Sequence, residues 1–169
     1  MRNILDNSKY QFVSLSKEIH TLRLYLELES ARLENSFDYL IKIDTEIDPD
    51  LIKIPPMLVQ PFVENSIWHG ISSKKNGGYV CIEIKLLSNG FLEILITDNG
   101  IGRNKSWENK KHQNKQHKSY GIDITMERLK LFNDENQMEV VDLYDQDNAV
   151  AGTKVVLILK TEKNEDNYN

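Results

Sequence analysis

The sequence predicts an α/β fold in which a mixed β-sheet is covered on one face by helices, with an amphipathic helix at the N-terminal end. Five strand-like segments are present, and most of them are neighbours along the chain. Only two further helical segments are available to cover the sheet, which favours a two-layer α/β sandwich over a doubly wound fold. A dinucleotide-binding fold would also need a G-x-G-x-x-G turn after its first strand, and the sequence has none.

The N-terminal helix is predicted from Ser8 to Asn35, a segment without glycine or proline. Its apolar residues recur at alternating spacings of three and four: Phe12, Leu15, Ile19, Leu22, Leu26 and Leu33. Glu29 stands in the one gap of this series. The pattern is typical of an amphipathic helix with a heptad-like seam.

The remaining elements follow in order along the chain. Strands are predicted at 37–44, 79–87, 91–98, 138–144 and 153–160. Ser88-Asn89-Gly90 joins the second and third of them as a hairpin turn. Two shorter helices are predicted at 57–69 and 122–133. Pro61 is compatible with the first of these helices only within its first turn, where backbone amides have no helical partner.

Composition excludes some classes of function. The formal net charge is -5 over 169 residues, so nothing in the total charge indicates a nucleic-acid binder. The single cysteine, Cys81, lies in a strand-like run and is interpreted as a buried thiol. No stretch approaches the roughly 20 apolar residues of a transmembrane helix, and the first residues do not resemble a signal peptide. We therefore expect a soluble, cytoplasmic chain.

The segment QPFVENSIWHG, residues 60–70, places polar side chains on a helix otherwise built for a core. On a helical wheel Asn65 and His69 share one edge of the buried face, whereas Glu64 points away from them. A desolvated amide at that edge would need a partner. The alternative is that Asn65 caps a neighbouring loop and that the helix ends at His69 and Gly70.

The segment TDNGIG, residues 97–102, ends a predicted strand. An aspartate at this place, Asp98, followed by Gly100 and Gly102, suits recognition of a flat base through its exocyclic amine. The same letters also make an ordinary turn. Two later features, Gly121 at a helix entry and Thr153 at the start of the last strand, are equally ambiguous alone, although a helix entry can bind anions.

Residues 103–119 form a polar segment with six basic residues and one acidic residue, a formal charge of +5. Such a run is commonly a solvated loop, but a mobile cationic flap would suit a polyphosphate. We expect it to be poorly ordered without nucleotide, because it buries too little to offset its ordering entropy.

Taken together, the motifs carry a resemblance. PPMLVQPFVENSIWHG, TDNGIG, a lid, SYGIDITMERLKLFN and AGTKVVLIL resemble, in this order, the N, G1, G2 and G3 boxes of the GHKL ATPase superfamily. QPFVENSIWHG is similar in particular to the LytS-type sensor histidine kinases. The likeness runs from about Phe12 to Lys160.

The resemblance implies a Bergerat fold with a site for ATP and Mg2+. Its cofactor-binding residues would be Asn65, His69, Asp98, Gly100, Gly102, Lys118, Ser119, Gly121 and Thr153. Asn65 would coordinate the magnesium ion, and Asp98 would accept a hydrogen bond from the adenine amino group. His69 would lie near the phosphates or the lid, Gly121 and neighbouring amides would meet the phosphates, and Thr153 would support the adenine end. The two glycines after Asp98 would let the backbone approach the nucleotide.

Four departures from the family pattern matter. Ser66 replaces the usual alanine, Trp68 a common lysine or arginine, and Asp123 a glycine of the G2 box. Pro61 stands where gyrase-type hydrolases keep a glutamate that activates water, and a proline cannot act as a base. Glu64 is the only nearby carboxylate that could assist catalysis. Phosphoryl transfer to a side chain is therefore favoured over ATP hydrolysis.

The resemblance implies a protein-histidine kinase whose phosphoacceptor histidine lies upstream of this chain, so that the chain alone would be inactive. Residues 1–36 would be the end of a helical dimerisation and phosphoacceptor region, 37–161 the ATP-binding domain and 162–169 a tail. A response regulator and a homodimer would be the partners, and the chain would be the cytoplasmic part of a membrane-anchored bacterial sensor. The alternative is a GHKL switch or slow ATPase without kinase activity.

Overall fold

The computed structural model describes residues 12–34, 36–72, 74, 77–102 and 120–161. The strands are β1 Val13–Ser14, β2 Phe37–Ile43, β3 Lys53–Ile54, β4 Gly78–Leu86, β5 Phe91–Asp98, β6 Gln137–Tyr144 and β7 Val150–Lys160. The helices are α1 Leu15–Arg32, α2 Gln60–Asn65, which continues as a π-helical segment Ser66–Ile71, and α3 Tyr120–Phe132. The predicted lid 103–119 and tail 162–169 lie outside the described residues.

The main sheet has five strands in the order β2-β4-β5-β7-β6. Strands β2 and β4 are parallel, and the other neighbours are antiparallel. The predicted mixed sheet is therefore confirmed, and all five predicted strands are part of it. A separate two-stranded pair, β1 with β3, was not predicted, because two residues are too few to show any periodicity.

One apolar core lies between the sheet and the helices. Alternate residues of each central strand point into it, with Ile82, Ile94 and Leu157 among those fully buried. The alternation has a period of two, so the side chains between them face the other side of the sheet. The π-helical segment packs on β4, β5 and β7, whereas α1 contacts β2 and α3 contacts β6. The two-layer α/β sandwich is therefore confirmed.

Helix α1 shares this core. Within the predicted seam, Leu15, Ile19, Leu22 and Leu26 are buried in the same cluster as the strands, whereas Leu33 is partly buried and Phe12 is exposed. The helix is shorter than the predicted span because Ser14 caps it, with its side chain accepting from the amide of Lys17, and because the residues before it pair with β3. The assignment of residues 1–36 to a separate region stays a prediction, while the seam packs inside this chain.

A buried carboxylate joins α1 to the start of α2. Glu18 is 5% exposed, and its two oxygens accept from the amides of Met57 and Leu58 at 3.0 Å and of Val59 at 3.3 Å. These amides precede the first turn of α2 and have no helical partner, so a carboxylate there satisfies them and also complements the helix dipole. Glu18 thereby fixes where α2 begins relative to α1.

Among the helices that the structure describes, none is long and apolar enough to cross a membrane.

Candidate functional site at the end of strand β5

The predicted helix 57–69 changes its geometry halfway along. It is α-helical over Gln60–Asn65 and π-helical over Ser66–Ile71, where the amide of Ser72 donates to the carbonyl of Ile67, five residues earlier, at 2.8 Å. Gly70 therefore lies within the helical segment and does not end it. A π-helical turn winds more loosely than an α-helix, so a wheel with a uniform period fails beyond Asn65.

One side of this helical segment faces α1. Glu64 accepts a hydrogen bond from the side-chain amide of Gln60 at 2.8 Å, and the guanidinium of Arg32 stacks over the Trp68 ring at 3.9 Å from its centroid. The pKa of Tyr25 on α1 is raised, mainly by burial, while a hydrogen bond with Trp68 opposes that shift. Trp68 thus packs against α1, in a position where many histidine kinases carry a cation.

Asn65 and His69 are both exposed, so the prediction that they lie at a desolvated edge is wrong. For His69 the π-helical turn is the reason, because it rotates the side chains after Asn65 away from their α-helical directions. Asn65 lies in the α-helical part, and its place at the margin of the buried face leaves it exposed. The Asn65 amide has no hydrogen-bond partner among the described residues, and it does not cap a neighbouring loop there. Its role as a magnesium ligand stays a prediction.

The buried polar residue of the segment is Ser66, at 6% exposure. Its hydroxyl donates to Oδ2 of Asp98 at 2.9 Å, across 32 residues of sequence. The wheel placed Ser66 on the buried face, but no local pattern indicated that an acceptor would lie opposite. A serine where related sequences carry alanine was the only available signal.

Asp98 ends β5 and is itself 3% exposed. Its Oδ1 accepts from the amide of Gly100 at 2.8 Å, so both carboxylate oxygens hold a protein donor. Burial raises the pKa of Asp98, while hydrogen bonds from the Gly100 amide, the Ser66 hydroxyl and the Thr153 backbone oppose that rise, and the charge of Asp142 adds to it. A buried carboxyl held by several donors is a well-fixed acceptor.

Close backbone contacts hold the turn after Asp98 in place. A Cβ on Gly100 would lie 2.4 Å from the Cα of Gly70, and one on Gly152 would lie 2.0 Å from the Asp98 carbonyl oxygen. The amide of Ile101 also donates to the carbonyl of Gly70 at 3.1 Å. The π-helical segment, the turn after β5 and the start of β7 are therefore packed together, and Gly152 was not predicted to take part.

Comparisons with solved structures identify the fold. The catalytic domain of histidine kinase ThkA superimposes with a TM-score of 0.60 at 11% identity, covering 92% of this chain and 99% of that one. Full-length ShkA, solved in complex with AMPPNP, gives a TM-score of 0.63 at 12% identity over 92% of this chain and 32% of that one. This chain has the histidine kinase catalytic fold.

Sequence relatives agree with that fold. A Bacillus subtilis protein, YwpD, described as putative and uncharacterized, is 36% identical over 89 residues, which are 53% of this chain and 31% of YwpD. The sensor histidine kinase/phosphatase LytS of Staphylococcus aureus is 34% identical over 101 residues, 60% of this chain and 17% of LytS. The chain thus spans less than a third of the length of these relatives. No family model matches. The LytS-type resemblance is nevertheless confirmed.

Within the histidine kinase catalytic fold, the predicted site residues fall into two groups. Asp98 and Thr153 are paired in register on β5 and β7, and Gly100 and Gly102 follow β5. Gly102 has φ of 73°, and a Cβ there would lie 2.1 Å from a Val150 methyl. These four residues lie together, whereas Asn65 and His69 are on the neighbouring helical segment.

The other predicted residues belong to the lid end. Gly121 lies in the first turn of α3, which begins at Tyr120. Lys118 and Ser119 lie outside the described residues, so their predicted contact with phosphate stays a prediction.

Proposed function

We propose that this chain binds ATP with magnesium and transfers the γ-phosphoryl group to a histidine outside its own sequence, as the catalytic part of a sensor histidine kinase. The observation that carries the proposal is the fixed Asp98 carboxylate at the end of β5 in a histidine kinase catalytic fold. Sequence likeness to the sensor histidine kinase/phosphatase LytS over 101 residues supports it further.

The base-recognising end is built around Asp98. A carboxylate accepts hydrogen bonds and donates none when it is ionised, so it selects a base that offers an N–H. The close packing of Gly100 against Gly70 holds the turn after it, and Thr153 supports it from β7. Adenine, with its exocyclic amine, fits such an acceptor.

The magnesium site would centre on Asn65. Its amide is exposed and has no partner among the described residues, and an amide oxygen is a ligand that magnesium accepts. No cluster of three or more acidic, histidine or cysteine side chains occurs in the described part of the chain. Magnesium is commonly held by one or two protein ligands together with phosphate oxygens and water. A magnesium ion there would neutralise charge on the phosphates.

Hydrolysis is disfavoured by the same helical segment. Pro61 occupies the first turn of α2, where a proline fits, and it has no group that could activate water. Glu64 is partly buried and accepts a hydrogen bond from Gln60, a contact that would compete with a role as a base. The reaction would therefore depend on positioning: an imidazole nitrogen attacks the γ-phosphorus, the bond to the bridging oxygen breaks, and ADP leaves.

The test uses the complete native protein that contains this chain. It is incubated with Mg2+ and ATP labelled at the γ-phosphate, and acid-labile, base-stable label on the protein is measured beside released inorganic phosphate. We expect phosphohistidine in the wild type and its loss in Asn65→Ala. Steady phosphate release without protein labelling, abolished by Asn65→Ala, would instead identify a slow ATPase or switch.

The wider assignments belong to the same proposal. The acceptor histidine would be supplied by a helical region of a homodimer, and the phosphoryl group would pass to an aspartate of a response regulator. Placement in the cytoplasmic part of a membrane-anchored sensor follows from the likeness to sensor kinases and is equally proposed. Transfer of label from the protein to a purified regulator would test the partner.

A further inference from the structure

The side chain with the most unexpected position is Ser66, and its contact with Asp98 has a consequence for base selectivity. We infer that Ser66 is a positioning residue that holds the Asp98 carboxylate as a pure acceptor and thereby sharpens the choice between 6-amino and 6-oxo purines. This inference rests on the proposed function, because it assigns a determinant of selectivity to the same nucleotide site.

Protein donors already occupy part of the acceptor capacity of the Asp98 carboxylate. An ionised carboxylate offers about four acceptor positions. Two protein groups donate to the Asp98 carboxylate, the Ser66 hydroxyl at 2.9 Å and the Gly100 amide at 2.8 Å, and the Thr153 backbone also favours its charged form. Protein donors thus occupy about half of the acceptor positions, and the remainder can accept an N–H of an exocyclic amine.

The Ser66 hydroxyl can offer a bound base only acceptors. Ser66 has one hydrogen and gives it to Asp98, so towards any ligand its oxygen offers only lone pairs. The pair therefore presents acceptors alone. A carbonyl oxygen at position 6 of the base would face those acceptors without a hydrogen between them, and a buried polar mismatch of this kind is costly.

Removal of the Ser66 hydroxyl would change how readily the Asp98 carboxyl group is protonated. Burial raises the pKa of Asp98, and the Ser66 hydrogen bond is one of three protein contacts that oppose the rise. Without it the carboxyl is protonated more readily, and a protonated carboxyl can donate to a 6-oxo group. Loss of the Ser66 hydroxyl should thus weaken the binding of a 6-amino purine and strengthen the binding of a 6-oxo purine.

The two positions that separate this role from general packing are the first residue of the π-helical segment, Ser66, and the residue directly after its end, Ser72. Ser66→Ala deletes the hydroxyl that reaches Asp98. Ser72→Ala deletes a hydroxyl that donates to the Trp68 carbonyl at 2.6 Å and is exposed, so it is the matched control. Ser66→Thr keeps the hydroxyl and serves as the conservative variant.

Dissociation constants of Mg-ATP and Mg-inosine triphosphate are measured for the complete protein by calorimetry at pH 7. We expect the wild type to prefer ATP, Ser66→Ala to reduce that preference about tenfold, as one hydrogen bond to a charged group implies, and Ser72→Ala to leave it unchanged. Ser66→Thr should retain more of the preference than Ser66→Ala.

The outcomes distinguish the two proposals. If the wild type binds neither nucleotide, the proposed function fails and the inference falls with it. If ATP binds but Ser66→Ala leaves the ratio unchanged, or weakens both nucleotides equally, Ser66 is a packing residue and only this inference is overturned.

Discussion

Gly70 and Gly100 lie in direct backbone contact. A Cβ on Gly100 would approach the Gly70 Cα to 2.4 Å and the Oδ1 of Asp98 to 2.8 Å, both shorter than side chains tolerate. The end of the π-helical segment therefore packs on the turn after β5 with no space for a side chain. The geometry around Asp98 depends on this contact.

Gly100→Ala should consequently destabilise the protein by about 1–3 kcal/mol, because the added methyl group forces two backbone segments apart. The free energy of unfolding in urea measures this. Gly90→Ala is a suitable comparison, since Gly90 has φ of 81° and nothing within 4 Å of its Cβ position, so it reports backbone strain alone. An effect of Gly100→Ala no larger than that of a neutral surface change would contradict the packing described.

Glu18→Ala should lower stability by about 2–4 kcal/mol, because three backbone amides near the start of α2 lose their acceptor in a buried place. Glu27→Ala changes the same residue type on the exposed side of α1 and should cost little. Urea unfolding of both variants makes the comparison. Similar losses of unfolding free energy in Glu18→Ala and Glu27→Ala would show that the Glu18 hydrogen bonds do not hold α2.

Asp98→Asn should raise the melting temperature of the nucleotide-free protein at pH 7. Burial raises the pKa of Asp98, so between its unfolded and folded pKa values the folded state binds more protons, and stability falls as pH rises through that window. Above that pH window the buried Asp98 charge lowers the stability of the folded state, and the neutral side chain of asparagine avoids this loss. The Ser66 hydroxyl can accept a hydrogen bond from the new side-chain amide.

The pH dependence provides the check on that prediction. The difference between wild type and Asp98→Asn should shrink as pH falls through the folded pKa, because the wild-type carboxyl is then neutral too. A stabilisation that is constant with pH would rule out the charge of Asp98 as its cause.

Asn65→Ala should leave the melting temperature of the free protein nearly unchanged, because its side chain is exposed and has no partner among the described residues. If Asn65 is the magnesium ligand, the variant should lose the gain in ATP affinity that Mg2+ provides, while its affinity in EDTA stays that of the wild type. Calorimetric titrations with and without Mg2+ measure this. Retention of the full magnesium effect would assign the ion to other groups.

Much of the fold follows from local pattern. The strand at 91–98 was predicted with the bounds of β5, and the alternation of 37–44 matches the one buried face of β2. The amphipathic seam of α1 was predicted correctly from Leu15 to Leu26, because a helix that buries one side repeats at a fixed spacing. At its two ends the prediction was wrong, since Phe12 and Leu33 lie outside the helix and Phe12 is exposed. What the pattern did not show was that the seam packs on this chain's own sheet.

The site was predicted unevenly. Asp98 and its glycines were singled out because short motifs carry their own chemistry, and their mutual contacts then placed them together. The exposure of His69 was missed because the wheel assumed an α-helical period through a segment that is π-helical. Asn65 precedes that segment, and its exposure was missed because a position at the margin of a helix face does not decide burial. Whether those two residues bind nucleotide stays a prediction.

By itself the sequence determined which segments form strands and helices, because these depend on neighbours within a few positions. Its family resemblance, rather than local pattern, implied which residues would bind a nucleotide. Only the tertiary structure decided the Ser66–Asp98 hydrogen bond and the hydrogen bonds from the amides before α2 to Glu18, whose partners are 32 and about 40 residues apart. Such pairs form only when the sheet brings distant segments together, and a donor in the sequence does not name its acceptor. The selectivity proposed for this site therefore depends on a contact that no local pattern encodes.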